Sequence, residues 1–253
     1  NLQPLEGLSV AIVGSRKATP YGRMVARKLG RELAREGIVV VSGMARGVDA
    51  EAHRGCIEGG GMTVGVLGNG IDVRYPRENA MLYNEVEDKG LLLSEYPPGT
   101  KPEPGNFPIR NRLISGLSRG VVVVEAREKS GAMITVGFAL EQGKDVFAVP
   151  GPITSANSIG PHRLLREGAC LVTGVEDILQ EWGIEQRKVS HVNPTDQENE
   201  EYPVFKHIGY EPIHLDRILE MSKLTPGETA SQLLRLEMAG KIKSLPGNIY
   251  VRL

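Results

Sequence analysis

The chain has 253 residues, of which 40% are hydrophobic and 24% are charged. These proportions indicate a folded globular protein rather than a disordered or fibrous one, and the length predicts one large α/β domain with one small module. The formal net charge is only -1. The molecule as a whole therefore does not attract polyanions, and a nucleic-acid site would have to be a local basic patch.

The apolar runs and the cysteine spacing exclude further classes of protein. No apolar run approaches the roughly 20 residues of a membrane span, and the first residues lack a signal-peptide pattern. Cys56 and Cys170 lie far apart, which indicates neither a disulfide framework nor a metal cluster. We expect a cytoplasmic protein with reduced thiols and no membrane partner. The sequence does not begin with methionine, so we expect the native protein to extend further upstream.

Short β-branched runs alternate with longer amphipathic stretches as far as residue 183. The runs are apolar almost throughout and are bounded by glycine or turn residues, as in strands buried on both faces. We predict strands at 10–13, 38–41, 63–67, 91–93, 121–125 and 146–149, and helices at 19–36, 49–58, 79–88, 111–117, 134–142, 161–167 and 176–182. This alternation predicts a Rossmann-like α/β domain, with a mostly parallel sheet and helices on both faces.

The last 70 residues or so follow another pattern. Residues 184–201 are polar with few apolar anchors, which predicts a linker. A helix at 215–221 is followed by a capping box, Thr225 with Glu228, that opens a second helix at 226–239. Strands at 241–245 and 249–253 complete the order of a small C-terminal winged-helix domain. The predicted parts are residues 1–183, 184–201 and 202–253.

The first strand is followed by Gly14, Ser15 and Arg16, just before a helix. In a doubly wound sheet this turn binds phosphates through backbone N–H groups and the positive end of the helix. Dinucleotide enzymes carry G-x-G-x-x-G here and an acidic residue after the second strand. The sequence has neither, and it has no P-loop motif. We expect an anion site and no cofactor; the alternative is a plain turn with a surface arginine.

The second strand runs into a similar turn that contains Ser42, Gly43 and Arg46. Asp49 and His53 follow four residues apart, a spacing that could supply half of a metal site. Because no third ligand lies nearby in the sequence, we interpret Asp49 as a helix-start aspartate and His53 as a structural histidine. We predict no metal.

Two further segments combine small, basic and aromatic residues. Asn106, Phe107, Arg110 and Arg112 follow a proline-rich loop, and we place Phe107 on that loop. Aromatic stacking on bases with arginine–phosphate contacts is how single-stranded nucleic acid is bound. Alternatively, Phe107 fills the core while the arginines lie on a helix surface. After the fifth strand comes a third small-residue turn, formed by Lys129, Ser130 and Gly131 and followed by Thr135. Three such turns would converge near the switch point of the sheet.

Taken in order, these motifs resemble the DNA-processing protein A family over about residues 9–182 and again in the terminal winged helix. The matching segments are Val13-Gly14-Ser15-Arg16, Ser42-Gly43-Met44-Ala45-Arg46-Gly47-Val48-Asp49 with His53, Leu67-Gly68-Asn69-Gly70 with Tyr75-Pro76, Ser94-Glu95-Tyr96, Asn106-Phe107-Pro108 with Arg110-Asn111-Arg112, Ser130-Gly131 with Thr135, and Val149-Pro150-Gly151.

The resemblance implies a non-enzymatic homodimer that binds single-stranded DNA in a basic pocket. It also implies that the protein interacts with RecA recombinase and loads it onto incoming DNA during natural transformation or recombination. By this likeness Arg16 and Arg77 contact phosphates, Phe107 stacks on a base, and the turns at Gly14, Ser42-Gly43 and Ser130-Gly131 hold the backbone. The sequence departs from the usual Ser-Gly-Ser-Leu turn at Ala132 and Met133, and within residues 1–253 we expect no counterpart of the small helical module that precedes the sheet in some members.

Two other functions compete with this one. A nucleotide-monophosphate phosphoribohydrolase would need a catalytic glutamate near the third turn, and Glu141 lies nearly two turns into the predicted helix. A transcription factor would read duplex DNA through the second helix of the winged domain. That helix carries only Arg235 against Glu228 and Glu237, which favours a protein-contact or structural role.

Overall fold

The computed structural model describes residues 2–186, 202–209 and 212–252. It divides into two compact units, residues 1–187 and residues 188–253, and the division falls inside the predicted linker. Most of that linker lies outside the described residues. Within the described part of the chain, no helix is long and apolar enough to cross a membrane.

The first unit is built on a sheet of seven parallel strands. Its strand order is β4-β3-β2-β1-β5-β6-β7, so the direction of winding reverses between β1 and β5, the topological switch point. Six strands were predicted, whereas β7 has only two residues and is too short to give an apolar pattern. The strands are β1 (Ser9–Val13), β2 (Val39–Ser42), β3 (Thr63–Leu67), β4 (Leu91–Ser94), β5 (Gly120–Val123), β6 (Asp145–Ala148) and β7 (Cys170–Leu171).

Helices cover both faces of this sheet, as predicted. Val10 and Ile12 of β1 point toward one face, while Ala11 and Val13 point toward the other, and all four are buried. This explains why the strand is apolar throughout. The helices are α1 (Pro20–Arg35), α2 (Val48–Glu58), α3 (Ala80–Lys89), α4 (Asn106–Gly116), α5 (Gly131–Glu141), α6 (Ile159–Arg166) and α7 (Val175–Glu181). One core contains residues of α1, α2 and α7, and the opposite core contains residues of α4, α5 and α6.

Helices α4 and α5 begin well before the predicted residues, by five and three positions, and the difference changes the site. Helix α4 begins at Asn106 rather than at residue 111, because proline is tolerated in a first helical turn and Pro108 lies there. Helix α5 begins at Gly131 rather than at residue 134. The prediction that Phe107 lies on a loop was therefore wrong, since Phe107 belongs to the first turn of α4.

The second unit is the predicted winged helix. Its elements are β8 (Ile213–His214), α8 (Leu215–Ser222), α9 (Pro226–Met238), β9 (Ile242–Leu245) and β10 (Ile249–Arg252). The strands pair antiparallel in the order β8-β10-β9. The predicted capping box is present, with Thr225 accepting the Glu228 N–H and the Glu228 carboxylate accepting the Thr225 N–H. Its separate core includes Phe205, Leu233 and Leu236.

Candidate nucleic-acid interface

A pocket of about 650 Å³ opens at the switch point of the sheet. Its walls come from the turn after β1, the first two turns of α4 and the start of α5, which meet because parallel strands end at one edge. The lining residues are Val13, Gly14, Ser15, Arg16, Lys17, Ala45, Asp49, Tyr75, Pro102, Pro104, Phe107, Pro108, Arg110, Asn111, Ile114, Arg127, Lys129, Ser130, Gly131, Ala132 and Thr135.

The pocket is strongly basic although the chain is almost neutral. Five of its lining residues are basic, namely Arg16, Lys17, Arg110, Arg127 and Lys129, whereas Asp49 is its one acidic lining residue. All of these basic residues except Arg110 are exposed. An excess of positive charge in a concave site attracts a polyanion to that site even when the net charge of the whole protein is close to zero.

The start of α1 is occupied by a side chain of the protein itself. Glu125 follows β5 and is 4% exposed. Its carboxylate accepts the backbone N–H of Thr19 at 2.9 Å, the Thr19 hydroxyl, and the Asn157 side-chain N–H at 3.3 Å. A phosphate cannot use the same donors, so the part of the prediction that assigned an anion to the positive end of this helix is corrected. The turn at Gly14, Ser15 and Arg16 still lines the pocket.

The start of α5 is different. Ser130 is the N-cap residue, but its side chain makes no capping hydrogen bond. Its Oγ is buried and has no hydrogen-bond partner among the residues that the structure describes. Gly131 follows, and a Cβ there would meet nothing within 4 Å. In the first turn of α5, which has 11 residues, the Met133 N–H donates to the Ser130 carbonyl, while the N–H groups of Gly131 and Ala132 precede the first α-helical hydrogen bond and give the helix start partial positive charge.

Two aromatic rings form one wall of the pocket. The ring centroids of Phe107 and Tyr75 are 5.6 Å apart with an interplanar angle of 32°. The guanidinium of Arg16 lies 5.4 Å from the Phe107 centroid. Gly68 permits this position, because a Cβ there would come within 2.8 Å of Phe107 Cδ1. Phe107 is half-buried, so it lies in a pocket wall instead of filling the core.

Behind this wall lies a buried polar cluster. Arg110 is 4% exposed, and its Nη1 donates to the carbonyls of Gly43, at 3.1 Å, and Val66. Burial lowers the pKa of Arg110 to about 10. Burial also raises the pKa of Asp49, an effect that the Arg110 charge opposes. Asp49 accepts the Gly43 N–H at 3.1 Å.

His53 is buried beside this cluster. Its Nδ1 lies 2.7 Å from the Thr63 hydroxyl oxygen, and that hydroxyl donates to the carbonyl of Val40. The ring therefore carries its proton on Nδ1. Burial, followed by the Arg110 charge, lowers the pKa of His53 to about 3. The interpretation of His53 as a structural histidine agrees with this placement, and within the described residues no group of three potential ligands could hold a metal ion.

The structure brings nine of the fifteen predicted site residues to the pocket lining: Gly14, Ser15, Arg16, Phe107, Arg110, Lys129, Ser130, Gly131 and Thr135. The other six do not line it. The Ser42 hydroxyl donates to the Ile12 carbonyl at 2.6 Å, and Gly43 lies behind the pocket between Asp49 and Arg110.

The remaining four predicted residues lie away from the lining as well. Arg46 pairs with Glu78 at 2.7 Å, and Arg112 pairs with Glu95 at 2.6 Å. Arg77 is exposed in a short turn before α3, and the Asn106 carbonyl accepts the Tyr96 hydroxyl.

Sequence reasoning missed Lys17, Tyr75, Asn111 and Arg127 as lining residues. Lys17 follows Arg16 directly and Arg127 precedes Lys129, so a count of basic residues around the turns could have found both. Asn111 donates to the Gly131 carbonyl at 3.1 Å, a contact between α4 and α5 that no local pattern encodes.

The fold and the pocket define a Rossmann-like protein with a pocket of basic and aromatic residues at its switch point. A family model described as DNA recombination-mediator protein A matches residues 1–183, and a model of the DprA winged helix domain matches residues 190–248. The chain belongs to the DNA recombination-mediator protein A family.

Individual relatives agree with this assignment. Protein Smf of Escherichia coli (strain K12) is 41% identical over 262 aligned residues, which cover 100% of this chain and 70% of that protein. The X-ray structure of DprA from Streptococcus pneumoniae is 44% identical with a TM-score of 0.68, and the match covers 72% of this chain and 64% of that one. A structure of DNA processing protein A from Helicobacter pylori, concerned with the single-stranded DNA binding mode of that protein, is 34% identical with a TM-score of 0.67 and covers 72% and 83% of the two chains.

Proposed function

We propose that this protein binds single-stranded DNA in the switch-point pocket and loads RecA recombinase onto it during natural transformation or recombination, without catalysing a reaction itself. The observation that carries the proposal is the combination of exposed basic side chains with a ring pair, Phe107 and Tyr75, in one pocket. Phosphate contacts with base stacking on aromatic rings is the mode by which single strands are bound. The Helicobacter pylori relative, described for its single-stranded DNA binding, supports this proposal.

The pocket suggests how a strand would lie. Arg16, Lys17 and Lys129 are exposed at its lining and would neutralise phosphates. The start of α5 would receive one phosphate oxygen through the Ser130 hydroxyl and the first backbone N–H groups. A base would stack on the Phe107 ring, with Tyr75 beside it. We place Arg77, which is exposed outside the lining, on the path of the strand as it leaves the pocket.

We also propose that the protein acts as a homodimer in the cytoplasm, with RecA as its protein partner. These proposals rest on family likeness. The chain spans 70% of the Escherichia coli relative and 64% of the Streptococcus pneumoniae one, so activities of the complete relatives come to this chain only as proposals.

The two competing functions find less support. Glu141 ends α5, ten residues after its start, and this separation is about 15 Å at 1.5 Å per residue. It therefore lies too far away to act on a nucleotide held at the third turn. The acidic lining residue Asp49 is buried beside Arg110. In the winged domain, the exposed side chains of α9 include Leu234 and Met238, which suit duplex DNA poorly.

Fluorescence anisotropy tests the central proposal. Labelled oligothymidine and a duplex of equal length would be titrated with the protein across a salt series. We expect tighter binding to the single strand, with an affinity that falls as salt rises. Absent binding, or equal affinity for the duplex, would contradict the proposal and lead to assays with nucleoside monophosphates and with residues 202–253 alone.

A second assay tests the RecA step separately. RecA would be added to oligothymidine coated with single-stranded-DNA-binding protein, and its ATP hydrolysis would be followed over time. We expect this protein to shorten the lag before hydrolysis begins. An unchanged lag, together with intact binding to the single strand, would contradict the proposal of RecA loading but not the proposal of a single-stranded-DNA site.

A further inference from the structure

We infer that Arg110 is a positioning residue that fixes the Phe107 ring and the Gly43 turn, and that it does not neutralise a phosphate of the bound strand. This inference deepens the proposed function and rests on it. It changes the role that the sequence motif suggested for Arg110, whose place beside Arg112 and Phe107 indicates a phosphate contact.

The hydrogen-bond donors of Arg110 are used inside the protein. Nη1 donates to the carbonyl of Gly43 after β2 and to the carbonyl of Val66 within β3, while Nε donates to Asn111 Oδ1 at 3.3 Å. The side chain thus joins α4 to the ends of two neighbouring strands. With 4% of its surface exposed, it differs from Arg16 and Lys129, which are exposed at the same pocket.

The remaining nitrogen of the guanidinium also faces the protein. A Cβ placed on Gly43 would lie 2.8 Å from Arg110 Nη2 and 2.9 Å from Asp49 Oδ2. Gly43 therefore lies between the cation and the carboxylate, and Asp49 accepts its N–H while Arg110 donates to its carbonyl. The two charges hold both backbone polar groups of this one residue, which explains why no side chain fits there.

The link to the pocket runs through α4. Phe107 and Arg110 are three residues apart on one helix, so they lie on the same side of its first turns. The Arg110 Cζ is 5.8 Å from the Phe107 ring centroid. Fixing the guanidinium to the strands therefore fixes the helix turn that carries the ring. A lysine could not do this, because its single ammonium cannot reach several carbonyls in the fixed planar geometry of a guanidinium.

A double-mutant cycle tests the inference. Arg110→Lys, Phe107→Ala and their combination would be titrated with oligothymidine and with an abasic strand of equal length, across a salt series. We expect Arg110→Lys to weaken binding to oligothymidine about tenfold, to leave the salt slope unchanged and to alter abasic-strand binding little. Phe107→Ala should add little in that background, because both changes remove the same stacking. Equal weakening on both strands would overturn the inference.

The matched control is Lys129→Ala, because Lys129 is exposed at the pocket lining and we assign it to a phosphate. In the Arg110→Lys background its effect should be additive. If Arg110→Lys does not fold, the double variant Arg110→Met with Asp49→Asn replaces it, because removing both members of a buried pair of opposite charges leaves no uncompensated charge. The outcomes for the cycle are the same for this variant.

A measurement without DNA separates this inference from the proposed function. The chain has four phenylalanines, so uniform 4-fluorophenylalanine labelling gives four fluorine resonances, and Phe107→Leu assigns one of them. We expect Arg110→Lys to broaden or split the Phe107 resonance and to leave that of Phe205, in the second unit, unchanged. An unaltered Phe107 resonance would contradict the positioning role even if the protein binds no DNA at all.

Discussion

The starts of α1 and α5 lie at the same edge of the sheet, but they differ in whether a side chain of the protein occupies them. Both helices follow strands at the switch point, and both carry partial positive charge at their first turns. The start of α1 is occupied by the Glu125 carboxylate, which accepts two hydrogen bonds from Thr19 and one from Asn157. The start of α5 has a buried Ser130 Oγ without a partner in the described part of the chain. The fold places two similar helix starts at this edge, and the Glu125 side chain occupies one of them while the other stays available for the phosphate that we propose there.

The start of α1 is also the place where dinucleotide-binding folds hold their cofactor. Cofactor pyrophosphate would need the first turn of α1, where Glu125 now lies. Gly22 shows how closely the carboxylate approaches the helix, because a Cβ there would meet the Glu125 carboxyl carbon at 2.4 Å. The anion site that we propose therefore lies on the other side of the switch point, near Phe107 and Lys129.

The largest expected effect comes from removing the carboxylate at α1. Glu125→Ala leaves buried donors of Thr19 and Asn157 unpaired, so we expect the free energy of unfolding to fall by about 3 kcal/mol. Urea unfolding measures this, with Glu141→Ala, at the exposed end of α5, as the control. An unchanged stability would mean that Glu125 does not hold the start of α1.

Among substitutions in the pocket, the largest effect on DNA binding should come from removing the Phe107 ring. Phe107→Ala removes base stacking and should weaken single-strand binding by roughly 1–3 kcal/mol while leaving the salt slope nearly unchanged. Anisotropy titrations give both quantities. Ile109→Ala, an exposed position on the same helix, is the control and should bind as the wild type does. A shallower slope in Phe107→Ala would point to a lost phosphate contact instead.

His53, whose buried Nε2 has no hydrogen-bond partner among the described residues, extends the comparison to a group that does not line the pocket. Its pKa of about 3 in the folded state lies below the ordinary value near 6.5, so the unfolded chain binds more protons between these pH values. Stability should therefore fall by about 2 kcal/mol from pH 7 to pH 5 through this group. Urea unfolding of His53→Gln should show a loss smaller by that amount, and an identical pH dependence would refute the assignment.

Arg16→Ala tests the charge of the pocket. Loss of one phosphate contact should weaken binding to every single-strand sequence, roughly five- to tenfold, and reduce the salt slope by about one unit. Arg46→Ala is a matched control, because Arg46 pairs with Glu78 outside the lining. Equal effects of the two substitutions would show that general surface charge, rather than the pocket, determines affinity.

Ser130→Ala gives the smallest and most selective change. Without the hydroxyl, a phosphate at the start of α5 loses one hydrogen bond, and we expect binding to weaken by about 1 kcal/mol. Since the Ser130 Oγ has no partner among the described residues, protein stability should hardly change. If Ser130→Ala lowered stability and left affinity unchanged, the Ser130 hydroxyl would act within the protein, as Glu125 does at α1, and would not bind a phosphate.

Local patterns in the sequence predicted most of the elements but misplaced some of their ends. Helix α4 begins at Asn106, before the predicted start. Pro108 in its first turn follows a proline-rich loop, and the sequence could not show whether it belongs to the loop or to the helix, because proline is common both in turns and at helix starts. Strand β7 was not predicted, because two residues are too few to show a periodic pattern. The glycine turns after β1, β2 and β5 were visible, since glycine is a typical turn residue.

By itself, the sequence determined the alternation of strands and helices, the capping box of the winged domain and the family to which the chain belongs. These features follow from periodicity and from motifs within short segments. Only the tertiary structure decided the use of each charge: Glu125 reaches Thr19 across 106 residues and Arg110 reaches Val66 across 44, while Arg46 and Arg112 pair outside the pocket. The physical reason is that an ionisable side chain takes its role from its burial and its partners, and both are fixed by chain packing rather than by neighbours in sequence.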